Sequence, residues 1–400
     1  MTVACPDCGT AEELPQSPHG LILCRSCGNV LERTAGRSLD AALAFAASTF
    51  ILLAAANFLP LLSVSMAGAP RDSVLFSGTA TLWRQGWVLL AIGIAACGIV
   101  LPLLRFALLT ATLGAIRLGQ RPAWLGPAFA WAVALELWAM PDVLLIGFAI
   151  GYTRVIAFLP TEIGAGGWCF IIAALLSMVA GAVLDRQRVW RAIGAAPVLP
   201  ATGAFLSCTV CGLALPLAQE RARCPRCRTR LAARKPDALT RTAALAIAGY
   251  ILYVPANLYP MTILLRLGDP QSHTILDGID ELIDARLWPL AIVVFTTSIS
   301  IPLLKLVGLT WLLFSVRHAA PGSLVIRTKL HRFIDAIGRW SMIDVFTISI
   351  FAPLMQFGQL ATVQAGAGAV AFLAVVVLTM FASRAFEPRL MWDAAAEAKG

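Results

Sequence analysis

Eight apolar runs, separated by shorter polar segments, set the rhythm of this chain. They predict membrane-spanning helices near residues 39–62, 84–113, 131–153, 166–184, 241–263, 287–315, 337–358 and 366–385. A helix rises about 1.5 Å per residue, so roughly 20 apolar residues cross a ~30 Å hydrocarbon core. Polar, Cys-rich sequence comes first and the first apolar run starts only near residue 40, which does not fit a cleavable signal peptide. The segment 321–339 mixes Leu324, Ile326, Leu330, Phe333, Ile334 and Ile337 with Arg327, Lys329, His331 and Arg332. That pattern predicts an interfacial amphipathic helix leading into the seventh span.

Composition agrees. Hydrophobic residues make up 59% and charged residues 13% of the 400-residue chain, against about 25% charged in ordinary soluble domains. The net charge of +9 suits nucleic acid or anionic lipid, but its distribution reads as topology. With a cytoplasmic N-terminus, 24 of the 31 lysines and arginines fall in cytoplasmic segments. Only Arg71, Arg84, Arg154, Arg266 and Arg286 fall on the other side, and Arg105 and Lys305 lie inside helices. The positive-inside rule therefore predicts a multi-pass inner (plasma) membrane protein with both termini and both Cys clusters cytoplasmic.

The chain repeats itself. Ala56-Asn57-Phe58-Leu59-Pro60 recurs as Ala256-Asn257-Leu258-Tyr259-Pro260, and Leu101-Pro102-Leu103-Leu104-Arg105 recurs as Ile301-Pro302-Leu303-Leu304-Lys305, both at an offset of 200. Trp138-Ala139-Met140-Pro141-Asp142-Val143 recurs as Trp340-Ser341-Met342-Ile343-Asp344-Val345 at 202. Hydrophobic composition alone would not align polar, aromatic and proline landmarks in this way. The expected fold is an all-α polytopic membrane protein of two tandem repeats. Each repeat is a small β zinc ribbon followed by a four-helix transmembrane bundle. The expected domains are ribbon 1 (1–36), membrane module 1 (37–192), ribbon 2 (200–236) and membrane module 2 (237–395). Four spans per half give both halves the same orientation, a parallel repeat.

Cys5-Pro6-Asp7-Cys8-Gly9 pairs with Cys24-Arg25-Ser26-Cys27-Gly28, and Cys208-Thr209-Val210-Cys211-Gly212 with Cys224-Pro225-Arg226-Cys227. Two C-x2-C knuckles separated by 15 or 12 residues supply the four thiolates of a tetrahedral site. Disulfides are the competing reading, but a reducing cytoplasm disfavours them. Iron is the rival metal, since S4 ligation alone does not separate it from zinc. With all four ligands from protein, the sites are structural, and ribbons this small need such a staple. The residue after the last knuckle is Arg228 where the others have glycine, which bears on that turn's geometry. Arg221, Arg223, Arg226, Arg228 and Arg230 give ribbon 2 a basic face. An anionic leaflet is the expected partner for it, and no nucleic acid is expected. Cys97 and Cys169, in apolar helices, read as packing residues.

Arg105 and Lys305 lie in the second helix of each half, Asp142 and Asp344 in the third, at similar depths by helical rise. Two readings stay open. One is a pair within each half, or snorkelling cations, that fixes packing. The other is a polar network in a transport path, in which lysine can lose its proton and arginine cannot. Asn57, Pro60, Asn257 and Pro260 mark the outer end of the first helix of each half, where asparagine can satisfy backbone that proline frees. No Walker loop, H-E-x-x-H or G-x-S-x-G occurs, so no enzyme is expected.

The combination of paired C-x2-C knuckles with A-N-x-x-P and W-x-M-x-D-V motifs in each of two halves resembles the paraquat-inducible protein A family over essentially the whole chain. That resemblance implies an inner-membrane protein of Gram-negative bacteria working with periplasmic MCE-domain proteins in lipid transport and outer-membrane integrity. It also implies two four-cysteine zinc sites and a polar network containing Lys305 and Asp344. Rival readings are a membrane-anchored metal or redox regulator and a proton-coupled small-solute transporter.

Overall fold

The computed structural model describes residues 2–397 apart from 14–19, 34–37, 67–68, 157–159, 195–204, 217–221, 267–268, 319–323 and 357–360. The expected boundary at 36/37 and the expected start of ribbon 2 at 200 lie outside the described residues, as do Arg221 and Pro321; the expected end of module 1 at 192 falls in a helix, Arg186–Ile193. Short hairpins frame the Cys knuckles: β1 (Thr2–Ala4) with β2 (Ala11–Glu13), and β3 (Leu21–Leu23) with β4 (Val30–Arg33). The first membrane module follows. It contains α1 (Leu39–Phe58), strands β5 (Leu62–Met66) and β6 (Ala69–Ser73), and the short helix α2 (Ser77–Arg84). Next come α3 (Val88–Arg117), α4 (Leu125–Ala134), α5 (Pro141–Ile156), β7 (Thr161–Ile163), α6 (Ala165–Val183) and α7 (Arg186–Ile193).

The second half repeats the order. Hairpin β8 (Phe205–Ser207) and β9 (Ala214–Pro216) precedes α8 (Ala238–Leu258), β10 (Thr262–Arg266), β11 (Asp269–His273) and α9 (Ile275–Asp284). Then come α10 (Trp288–Arg317), α11 (Leu324–Ile337), α12 (Ile343–Leu354), β12 (Ala361–Ala365), α13 (Ala367–Ala385) and α14 (Arg389–Glu397). Eight candidate spans are present among the described residues. The third combines α4 and α5, and the seventh combines α11 and α12.

Each half also carries a three-stranded antiparallel sheet at the end of its bundle opposite the ribbons, in the order β6-β5-β7 and β11-β10-β12. The helices predicted at 39–62 and 241–263 overrun into the first strand of each sheet. Helix α1 stops at Phe58 because Pro60 cannot continue it, and Asn57 Nδ2 donates to the Leu53 carbonyl at 2.7 Å. Asn257 does the same to Tyr253 at 2.8 Å. The freed carbonyl of Pro60 accepts from Gly166 N at 2.8 Å, and that of Pro260 from Gly368 N at 3.0 Å. A Cβ on Gly166 or Gly368 would collide with those backbones. The Asn–Pro motif thus locks the end of the first span onto the start of the fourth.

Pro102 and Pro302 sit just after π turns at Ala95–Val100 and Thr296–Ser300. A proline lacks its N–H and crowds the preceding turn, and a π turn absorbs the mismatch without ending the helix. The interfacial helix expected at 321–339 is α11. It runs through a 3-10 turn (Gly338–Met342) into α12, and so leads into the seventh span as expected. Arg327, His331 and Arg332 meet protein groups, while Lys329 is exposed.

The two halves share one hydrophobic core. Their main seam joins α5 and α12. Gly147 and Gly151, one turn apart, admit Phe346 and Ile350 of the other helix, and a Cβ at Gly147 would come within 2.9 Å of Phe346. Small residues at such spacing are how membrane helices approach closely.

Candidate metal centres and intramembrane charges

Every knuckle makes the same turn. Gly9 N donates to Cys5 O at 2.9 Å, Gly28 N to Cys24 O at 2.9 Å, Gly212 N to Cys208 O at 3.0 Å and Arg228 N to Cys224 O at 2.8 Å. The three glycines have φ of 79°, 67° and 67°. Arg228 adopts φ 60° as well, so the departure from glycine leaves the turn intact but places an L-residue in left-handed backbone. The turns bring four thiols together in each cluster, with sulfurs within 4.8 Å of one another. Cys5–Cys27 and Cys208–Cys227 stand at 3.4 Å, Cys8–Cys24 at 3.5 Å and Cys211–Cys224 at 3.6 Å. A tetrahedron of ~2.3 Å metal–sulfur bonds has edges of about 3.8 Å. The donor sets therefore fit a metal ion, and all eight cysteines are free of disulfides.

Crowded thiols cannot all ionise without a cation. Cys8 is pulled down to about 4 by its hydrogen bond with Cys5, and that same bond, with burial, pushes Cys5 well up. Burial pushes Cys27 up to about 12. In the second cluster, hydrogen bonding from Cys208 lowers Cys224 to about 7, while Cys208 itself is raised. A bound divalent cation would take the place of the retained protons.

The ribbons dock crosswise. Ribbon 1 sits on the second half: Arg332 on α11 meets Asp7 at 2.7 Å and donates to Cys27 O at 3.2 Å, and Trp392 packs on the Cys5–Cys24–Cys27 cluster. Ribbon 2 sits on the first half, where Arg226 donates to Gly194 O at 2.9 Å and its own carbonyl presses on Gly126. Arg226 is buried and so leaves the basic face expected of ribbon 2; Arg223, Arg228 and Arg230 remain exposed.

The intramembrane charges are brought near one another, but not as pairs within each half. Arg105 (7% exposed) faces Glu136 at 3.6 Å, and Glu136 also pairs with Arg186. Asp142 reaches across the seam to Arg339 of the second half at 3.1 Å. Asp344 accepts from Ser298, which lies in the second π turn. Lys305 is 0% exposed and its Nζ has no hydrogen-bond partner among the described residues. It rests against Gly338, where a Cβ would come within 2.7 Å of Nζ.

Glu136, Arg339, Ser298 and Gly338 did not stand out in the sequence. The repeat offset held the signal: Glu136 and Gly338 stand 202 apart, as do Trp138 and Trp340. The equivalent of the carboxylate that serves Arg105 is a glycine beside Lys305.

The family model described as Paraquat-inducible protein A matches residues 39–194 and 239–396. The Intermembrane transport protein PqiA of Escherichia coli (strain K12) is 28% identical, covering 98% of this chain and 95% of that protein. The Lipophilic envelope-spanning tunnel protein A of the same strain is 30% identical, covering 98% and 91%. The Probable intermembrane transport protein of Haemophilus influenzae is 26% identical, covering 97% and 95%. No solved structure matches.

Proposed function

The chain belongs to the paraquat-inducible protein A family, and on that premise we propose that it is the non-enzymatic inner-membrane component of an intermembrane lipid transport system. It passes lipid to or from a periplasmic MCE-domain partner and supports outer-membrane integrity. Relatives named as intermembrane transport and envelope-spanning tunnel proteins support the transport role. In this reading both four-cysteine clusters hold zinc, and both ribbons and both termini face the cytoplasm. The three-stranded sheets then face the periplasm, where the partner docks.

The observation that carries a transport path is Lys305, a fully buried cation without a hydrogen-bonding partner among the described residues of a membrane bundle. A charge there costs about 2.5–3.5 kcal/mol. Such a cost is sustained where the charge does work. Lys305, with Asp344 beside Ser298 and the seam pair of Asp142 with Arg339, forms the polar network along which lipid headgroups or protons pass. Arg105 lies on the neutralised side of that network. Asn57, Pro60, Asn257 and Pro260 serve as helix-end locks.

Mass spectrometry of material co-purifying with the protein tests this reading. Phospholipid and an MCE-domain protein are expected, with two zinc ions per chain. Absence of both lipid and that partner would contradict it.

A further inference from the structure

A cavity of about 730 Å³ lies at the ribbon end of the molecule, walled by both ribbons and by both membrane modules. Its size falls in the range of ligand pockets, roughly 300–1,000 Å³. The knuckle of Cys208 and Cys211 forms part of its wall, but the cavity extends beyond that cluster to residues of ribbon 1 and of both membrane modules.

Its charged lining can be sorted by what each group already holds. Arg389 and Glu387 bind each other at 2.6 Å, and Asp7 is taken by Arg332 at 2.7 Å. Arg186 is paired with Glu136, and Asp335 accepts from Ser383 at 3.0 Å with Arg384 at 4.0 Å. Two charges remain. Lys235 Nζ donates only to the backbone carbonyls of Arg384 and Phe386, at 2.7 and 3.2 Å. Asp185, 5% exposed, caps α7 through Oδ1, which accepts from Arg188 N at 3.1 Å. Its Oδ2 has no donor, and neither has Gln187 Oε1 two residues on. Among the described residues neither Lys235 nor Asp185 has an opposite charge within ion-pair distance.

Buried acceptors without donors are costly, about 1–3 kcal/mol each. The corner at Asp185 and Gln187 therefore suits a group with several N–H donors and a positive charge. The ammonium of Lys235 suits an anion. We infer that this cavity binds a zwitterionic amine–phosphate headgroup, its ammonium at Asp185 and Gln187 and its phosphate at Lys235. In the proposed topology the cavity lies at headgroup depth on the cytoplasmic side, so the occupant is an amine-bearing phospholipid of that leaflet. Trp190 and Phe386 line the cavity as apolar wall. The choice of a lipid rests on the transport reading; the headgroup chemistry does not.

The test uses purified, metal-loaded full-length protein in detergent, titrated with dihexanoyl phosphatidylethanolamine and dihexanoyl phosphatidylglycerol. A preference for the ethanolamine lipid of about tenfold is expected, the worth of one charge-assisted hydrogen bond. Asp185→Asn keeps the helix cap and should erase that preference while leaving phosphatidylglycerol binding unchanged. Lys235→Met should weaken both lipids by about tenfold. Equal wild-type affinity for the two lipids, a preference surviving Asp185→Asn, or no effect of Lys235→Met overturns the inference. Free phosphoethanolamine separates the sources: weaker binding than the lipid supports a lipid occupant, and equal binding overturns the lipid assignment. Unchanged zinc content controls for folding. Because binding is read directly, its failure leaves the transport reading standing, and a transport defect in Lys305 variants leaves this site standing.

Discussion

In the first half the intramembrane cation has a carboxylate supplied by its own module; in the second it has none within hydrogen-bonding distance among the described residues. Arg105 is held by Glu136, itself shared with Arg186. Lys305, at the equivalent place, finds Gly338 where Glu136 would be. The backbones are alike: both second spans carry a π turn before a proline, and both third spans are interrupted by a 3-10 turn. Duplication gave two copies of one frame. In the first copy the cation is paired with Glu136; in the second, Lys305 Nζ is buried with no hydrogen-bond partner among the described residues, and it is there that the proposed transport path runs. The seam between Asp142 and Arg339 ties the copies together.

Several substitutions would break or sharpen this contrast. The largest effect is expected from the four-cysteine clusters, since the zinc proposed for them would be worth on the order of 10 kcal/mol in small ribbons. Cys208→Ser should leave one zinc per chain and unseat ribbon 2 from the first half, whereas Cys5→Ser should unseat ribbon 1 from the second. Metal analysis with limited proteolysis reads both.

Next is the seam. Asp142→Asn leaves Arg339 without its carboxylate and should destabilise the protein by about 2 kcal/mol, measured as a lower detergent melting temperature. Lys305→Met removes a charge that is costly to bury and should stabilise by about 2 kcal/mol while abolishing transport. Gly338→Glu transplants the carboxylate of the first half; it should neutralise Lys305 and silence transport in a folded protein. The smallest effect belongs to Arg228→Gly, which relieves left-handed strain and should stabilise ribbon 2 by about 1 kcal/mol. Thermal release of its metal would report that gain.

Much of this architecture was legible in the sequence. Long apolar runs announce spans because a bilayer core leaves few alternatives to helices. The knuckle spacing announces the clusters because two short turns must converge on one ion. The three-stranded sheets were hidden. Leu62-Ser63-Val64-Ser65-Met66 alternates as a strand should, but it abuts an apolar helix and reads as its continuation. The charge partners were hidden for another reason. Depth along a helix gives height but not azimuth, so Arg105 matches Asp142 by depth although it faces Glu136. Asp142 pairs across the seam, 197 residues away in sequence. Long-range docking of each ribbon on the opposite half left no local signal at all.

The most direct test of the asymmetry compares Lys305→Ala with Arg105→Ala in cells lacking the native gene, at matched membrane levels, by outer-membrane barrier function. The expected result is lost function for Lys305→Ala and retained function, with lowered stability, for Arg105→Ala. Equal function in the two variants would contradict the account.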